Sequence, residues 1–445
     1  MTELSVRTYP DTYVDSALLM AATRRMAGAS GVEWAAAVMG TPANLEDLRA
    51  GGFDAPSARA NDLVLAVRAG TTAQADEALE SGHAELADAH AGSSEQAAPG
   101  SSVGRPRTLE DALPALPGGG GNLAIVSVPG PYAALEAHKA LSAGLHVLLF
   151  SDNVALDDEV ELKERGVRLG RLVMGPGAGT AMLGGTGLGF ANAVRRGRVG
   201  VVAAAGTGAQ EVMSLTHRWG EGISEAIGVG GRDLSGTVGA TMSRLALRTL
   251  AADPATELIV LVSKPPSAEV ASRLLAETAV GAPVGAPAKP LVACLVGLAD
   301  PVPAPPHVVL VGTLEEAVIR ALEALGAPAP DPAEGLESRL AASLERLDAG
   351  RSAVLGLFSG GTLAYESMVV MGRHLGPIFS NTPLDKAWTL DAAGPGAHVC
   401  LDLGDEEFTR GRPHPMIDPG DRAERLSEAA GDQSVAVILI DVVLG

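Results

Sequence analysis

Val199-Gly200-Val201-Val202-Ala203-Ala204-Ala205-Gly206-Thr207-Gly208-Ala209-Gln210-Glu211 is an apolar run that breaks at a glycine and resumes at helical spacing. Read as a buried strand turning into a helix, it implies a parallel sheet covered by helices. A helix that starts this way leaves its first backbone N–H groups unpaired. An anion, most often a phosphate, is what such an end holds best. The device returns at Val354-Leu355-Gly356-Leu357-Phe358-Ser359-Gly360-Gly361-Thr362-Leu363-Ala364-Tyr365-Glu366. Both copies read Gly-Thr-x-Ala-x-Glu, which predicts an internal duplication of about one domain. The expectation is two related domains meeting around one anionic reaction centre. Either copy alone reads equally well as a tight strand-to-helix connection whose glycines serve close packing.

The rest of the chain bounds the class. A length of 445 residues predicts several domains and a large core. With 55 glycines, 29 prolines and 47% hydrophobic residues, the expected class is α/β. The formal charge of -20, with no clustering of the 33 basic residues, argues against a nucleic-acid surface and is read as solubility. Two cysteines, Cys294 and Cys400, fit a reducing cytoplasm and rule out a disulfide framework or thiolate cluster. No apolar run reaches about 18 residues and no signal peptide is read, so a cytoplasmic protein without a membrane span is expected.

Residues 1–90 read as a small α+β domain of the ferredoxin type, with buried strands at Val32–Val38 and Leu63–Val67. Residues 91–121, rich in Ala, Gly, Ser and Pro, read as a linker with one short helix capped by Thr108. Residues 122–195 alternate strand and helix, as in a Rossmann-like domain. Residues 196–348 and 349–445 each open on a Gly-Thr motif and read as flavodoxin-like domains.

Gly206, Thr207 and Gly208, with Gly360, Gly361 and Thr362, are the candidate phosphate-binding residues. Glu211 and Glu366 cannot neutralise an anion, so they are expected to orient a basic group or act as general bases. Gly175–Thr180 and Gly184–Gly187 read as a flexible loop after a strand. In Gly228–Asp233 the backbone forms a nest in which Arg232 can clamp a phosphate or carboxylate, with Asp233 beside it; a glycine turn with a solvated arginine is the alternative. The segment from Asp402 to Asp418 holds Arg412 and His414, the latter between prolines, and His414 is the candidate catalytic histidine. The other reading there is a surface loop held by ion pairs. No metal-spaced cluster, nucleophile elbow or Walker loop is present.

Residues 108–275 resemble the α subunit of succinyl-CoA synthetase, through Ala124–Pro131, Gly166–Gly179 and Gly197–Glu211. Residues 350–445 are similar to the second ligase domain, carried by that enzyme's β subunit. Front to back, the chain resembles the FdrA family through Leu188-Gly189-Phe190-Ala191-Asn192, Gly230–Ser235, Ser359–Thr362 and Gly411–Asp418. The resemblance implies a Rossmann-like CoA-binding-type domain and two flavodoxin-like synthetase domains behind the small α+β domain. In the synthetase two helix N-termini face a phosphohistidine. Here residues 280–306 contain no histidine, and Gly177-Ala178 stand where the family reads Asp-Cys. No CoA-binding glycine turn precedes Thr108, although CoA as a cofactor stays open.

The resemblance further implies a subunit of a catabolic complex that transfers carbamoyl groups in purine-ring catabolism, of the oxamate carbamoyltransferase kind. Phosphate or carbamoyl phosphate would sit at the helix ends. Arg232, Asp233 and Arg412 would bind the small-molecule substrate. The alternatives are an acid–CoA ligase subunit needing a nucleotide-binding partner, and a non-catalytic scaffold. A homo-oligomer is compatible with each.

Overall fold

The computed structural model describes residues 2–14, 16–55, 57–94, 106, 108–116, 118, 120–278, 288–298, 300–345, 347–348, 350–409 and 414–442. The chain forms two compact units, one of residues 1–105 and 407–421, the other of residues 106–406 and 422–445.

The first unit carries β1 (Glu3–Tyr9), α1 (Ser16–Ala27), β2 (Val32–Met39), α2 (Pro42–Ala50), β3 (Leu63–Ala69) and α3 (Thr72–Ser94). Its sheet runs β1-β3-β2 with both pairings antiparallel. Alternation along β3 explains both of its cores. Leu63, Leu65 and Val67 pack with Leu19, Met26 and Leu79, while Val64 and Ala66 pack with Leu48 and Phe53. The order follows the ferredoxin pattern through its first strands, with α2 inserted, and is the small α+β domain expected.

The second unit begins with α4 (Leu109–Ala115), capped by Thr108 Oγ1, which accepts from Asp111 N–H at 3.1 Å. There follow β4 (Leu123–Val126), α5 (Gly130–Ser142), β5 (His146–Leu149), α6 (Leu156–Leu169) and β6 (Val173–Met174), whose three strands are parallel in the order β4-β5-β6. The next stretch, expected to be a flexible loop, is instead a hairpin of β7 (Thr180–Leu183) and β8 (Thr186–Gly189). Gly184 and Gly185 take φ of 58° and 80°, which makes the two-residue turn whose twist suits paired strands.

That hairpin edges a seven-stranded sheet. Its remaining elements are β9 (Arg196–Ala204), α7 (Gly206–Arg218), β10 (Ile223–Gly228), α8 (Thr241–Ala252), β11 (Leu258–Ser263), α9 (Ala268–Thr278), β12 (Leu291–Leu295), β13 (Val308–Val311) and α10 (Leu314–Ala324). The order is β13-β12-β11-β9-β10-β7-β8, parallel from β13 to β10. So β7 and β8, which fall in the stretch 122–195 assigned to the Rossmann-like domain, hydrogen-bond into the neighbouring sheet. Strand β9 is covered on both sides: Val202 and Ala204 face one core, Val199, Val201 and Ala203 the other.

After α11 (Leu336–Leu344), whose leucines are exposed, come β14 (Ala353–Phe358), α12 (Gly361–Leu375), β15 (Ile378–Phe379), β16 (His398–Asp402), α13 (Glu406–Thr409), α14 (Gly420–Gly431) and β17 (Val435–Ile440). Their strands form a parallel sheet in the order β15-β16-β14-β17. Both Gly-Thr motifs thus stand where a central parallel strand, β9 or β14, ends and a helix begins.

Candidate functional site

Neither α7 nor α12 has a side chain capping its first turn; Ala205 and Gly360 hold the cap positions. Their leading N–H groups therefore lack an intrahelical partner. The two helix ends are seated on each other. A β-carbon on Gly208 would lie 2.8 Å from Thr362 Cγ2, and one on Gly360 would overlap Cγ2 and Oγ1 of Thr207. Each motif's threonine thus occupies the space left by the other motif's glycine, and both are buried. The glycines permit this approach, because any side chain there would push the helices apart.

The ends differ in access. Gly206 is exposed, with open space where a side chain would be, so the α7 terminus can be reached. The α12 terminus is enclosed by charged groups. A β-carbon on Gly361 would lie 2.5 Å from Lys264 Nζ and would overlap Asp402 Oδ2. Lys264 and Asp402 are themselves 4.0 Å apart, the lysine about a third exposed and the aspartate buried. Asp402 Oδ1 accepts from Gly404 N–H at 3.1 Å, and Asn381 brackets the Asp402 backbone with two 3.0 Å hydrogen bonds. Burial raises the Asp402 carboxyl above the ordinary range, with Lys264 opposing. On the far side Asp441 accepts from Ser359 N–H at 2.8 Å and pairs with Arg422. The hydroxyls of Ser359 and Thr362, both fully buried, have no hydrogen-bond partner among the described residues, nor does Asp441 Oδ2. Buried polar atoms left open in this way at a helix end suit a ligand that brings its own oxygens.

The motif glutamates do not point into this end region. Glu366 Oε1 accepts from Leu314 N–H at 2.6 Å, which caps α10. Its pKa is pushed up to about 7, first by burial and then by the charges of Glu211 and Glu315, against the Leu314 hydrogen bond. Glu211 is raised by burial and by Glu315, with Arg218 opposing. The two glutamates therefore lie near each other at the start of α10, where Glu366 caps the helix.

Arg232 and Asp233 also hold structure. Arg232 Nε donates to Glu159 Oε2 and its Nη2 to the Val154 carbonyl, each at 2.8 Å. Asp233 has no exposure; it pairs with the buried Lys163 at 2.8 Å and accepts from the N–H groups of Met242 and Ser243 and from the Ser243 hydroxyl. Lys163 also donates to Glu159 Oε1 at 2.7 Å and to the Val229 carbonyl at 2.8 Å. The expected substrate contact at Asp233 is thus replaced by a buried network that fixes the turn after β10. His414 belongs to the unit of residues 1–105 and 407–421, where its Nδ1 accepts from Met416 N–H at 3.2 Å. Arg412 lies outside the described residues.

Lys264, Asn381 and the Arg422–Asp441 pair are absent from the sequence expectation, which named Asp402 only as the start of the segment carrying Arg412 and His414. A lysine placed directly after the apolar strand Leu258–Ser263 was the available signal, since ligands gather at the carboxyl ends of parallel strands.

Comparison with known proteins fits this architecture. Residues 1–101 match the family model "AllF, heavy metal-associated domain" and residues 357–445 match "CoA-ligase". Residues 1–101 contain no cysteine, and among the described residues no cluster of metal-ligating side chains offers a site fitting a bound metal. The protein YahF of Escherichia coli (strain K12) is 40% identical over 444 residues, 98% of this chain and 83% of that one. The mitochondrial succinate–CoA ligase [ADP-forming] subunit alpha-2 of Trichomonas vaginalis is 28% identical, over 40% of this chain and 58% of its own. A solved ATP citrate lyase from Methanothrix soehngenii, in complex with citrate and coenzyme A, aligns at 20% identity and a TM-score of 0.36, covering 54% of this chain and 41% of that one.

Proposed function

The chain belongs to the family of YahF, with the FdrA-type, succinyl-CoA-synthetase-like architecture, and on that footing we propose a carbamoyl-transferring subunit of the oxamate carbamoyltransferase kind. The observation that supports the reading is the mutual seating of Thr207 on Gly360 and Thr362 on Gly208, which brings two uncapped helix ends together, the α12 end beside Lys264.

In this reading, inorganic phosphate rests on the N–H groups at Gly206 and Thr207 of the open α7 end, with the Lys264 ammonium at the neighbouring α12 end adding positive charge. A phosphate oxygen attacks the carbamoyl carbon of an N-carbamoyl donor. The new C–O bond forms as the C–N bond breaks, the leaving nitrogen takes up a proton, and carbamoyl phosphate remains. In reverse the acceptor nitrogen attacks, loses its proton, and phosphate departs with the bonding pair. The fixed N–H donors contribute most where charge grows on the phosphoryl oxygens. Glu366 acts through position, capping α10 against α12.

Partner chains complete the activity. The exposed Leu336, Leu340 and Leu344, spaced four apart on α11, favour a covered face. The test is phosphorus NMR on the complex co-purified from its host, given carbamoyl phosphate with and without oxamate. Acceptor-dependent release of phosphate is expected; its absence, with no carbamoyl phosphate formed in reverse, overturns the reading.

The CoA-ligase match over residues 357–445 favours one second reading, a subunit of an acid–CoA ligase whose nucleotide site lies on another chain. Acid-dependent CoA-thioester formation with release of ADP would select it.

A further inference from the structure

Beyond the helix ends, a cavity of about 610 Å³ opens at the carboxyl ends of β12 and β13. Its walls are largely apolar, with Leu298, Val302, Leu310, Val369, Leu384 and Trp388 among them. The cavity adjoins the Lys264 turn: a β-carbon on Gly297, another wall residue, would meet Leu384 Cδ2 at 2.9 Å and Pro265 Cγ at 3.0 Å. The volume lies within the range of roughly 300–1,000 Å³ typical of organic ligand sites. A two-carbon acid would leave most of it empty, so the helix-end chemistry does not explain it.

Three charged residues reach the cavity: Glu316, Arg373 and Asp385. Both acids are engaged, Glu316 with Arg320 at 3.8 Å and Asp385 as acceptor from Ala387 N–H at 2.9 Å. Arg373 has no ion pair or hydrogen bond among the described residues. Its Nη2 lies over Gly312, 3.3 Å from where a β-carbon would stand, which seats the guanidinium at the end of β13. Of the three charges in the wall, the cation, the exposed Arg373, is thus the one without a partner among the described residues, in a cavity that presents an indole and branched aliphatic side chains. We infer that the cavity binds an amphipathic organic anion, with its aromatic or branched body against Trp388 and the leucines and its carboxylate on Arg373. Guanidinium recognises carboxylate with paired, charge-assisted hydrogen bonds, which supplies the orientation.

The inference stands apart from the phosphate reading, and one experiment separates them. The full chain is titrated by calorimetry with phenylacetate, acetate and phenethylammonium, while inorganic phosphate is followed by phosphorus line width. Phenylacetate is expected to saturate and to bind more tightly than either control. Arg373→Leu should weaken it about tenfold or more, and Leu298→Trp, which fills the cavity, should abolish it. Both variants should keep the wild-type phosphate response. Unchanged affinity in Arg373→Leu, a preference for phenethylammonium, or no saturable binding to the wild-type chain would each overturn the inference. Loss of the phosphate response alone, with phenylacetate still bound, counts against the helix-end reading and supports the separate cavity.

Discussion

Thr207 rests on the α-carbon of Gly360, in the space a side chain there would need. Thr362 and Gly208 make the reciprocal contact, so the duplicated motifs lock through their shared threonines, each set against a glycine found in one copy alone. Gly360→Ala would force the helix ends apart and should cost about 1–3 kcal/mol, read as a lower midpoint in denaturant. Phosphate binding should fall with it. An unchanged midpoint would mean the helices are not in register.

Lys264 is a third exposed, so its removal tests the anion site without emptying a core. Lys264→Met should weaken phosphate binding about 10- to 100-fold, the worth of one charge-assisted hydrogen bond. Its melting temperature should stay near that of the parent. Equal phosphate binding in parent and variant would remove the lysine from the site.

The pH dependence of stability has a defined sign. Glu366 titrates near 7 when folded, against 4.5 for an ordinary glutamate, so between those values the folded chain binds more protons than the unfolded one. Stability attributable to this residue therefore falls as pH rises from 4.5 to 7, by an amount on the order of 3 kcal/mol. Glu366→Gln keeps an oxygen for Leu314 N–H and lacks the buried charge. It should be more stable than the parent at pH 8 and should flatten the slope below 7. Parallel stability curves for the two proteins would refute the assignment.

Lys163 is wholly buried between Glu159 and Asp233. Lys163→Met would leave the buried Asp233 without its cation, while Glu159 keeps Arg232, and should destabilise by roughly 3–5 kcal/mol. Pairing it with Asp233→Asn should recover part of the loss, since the stranded charge disappears. Additive destabilisation in the double variant would argue against the network.

The helix ends were legible because an apolar run broken by Gly-Thr has few readings other than a buried strand meeting a helix. The sign of the α10 cap was not, since Glu366 meets Leu314 only through the packing of separate elements. Asp233 looked like a ligand contact beside a glycine nest, whereas its partner Lys163 lies 70 positions away. The β7–β8 hairpin hid because Thr180–Leu183 and Thr186–Gly189 are too short to show alternation, leaving Gly184-Gly185 as the only cue. Lys264 was passed over because it carries no motif. Its meaning comes from lying between β11 and the enclosed end of α12.

The amino-terminal unit is built from two distant pieces of chain, residues 1–105 and 407–421. A ribosome releases the second piece only after the long stretch between residues 105 and 407. The opening domain must therefore wait, incompletely assembled, while the ligase-like body emerges and folds. Truncation shortly before residue 407 would then spare the sheets that begin at β4 and β7 yet leave the first unit without its second piece, making that piece a checkpoint on whether the body between the two has been made.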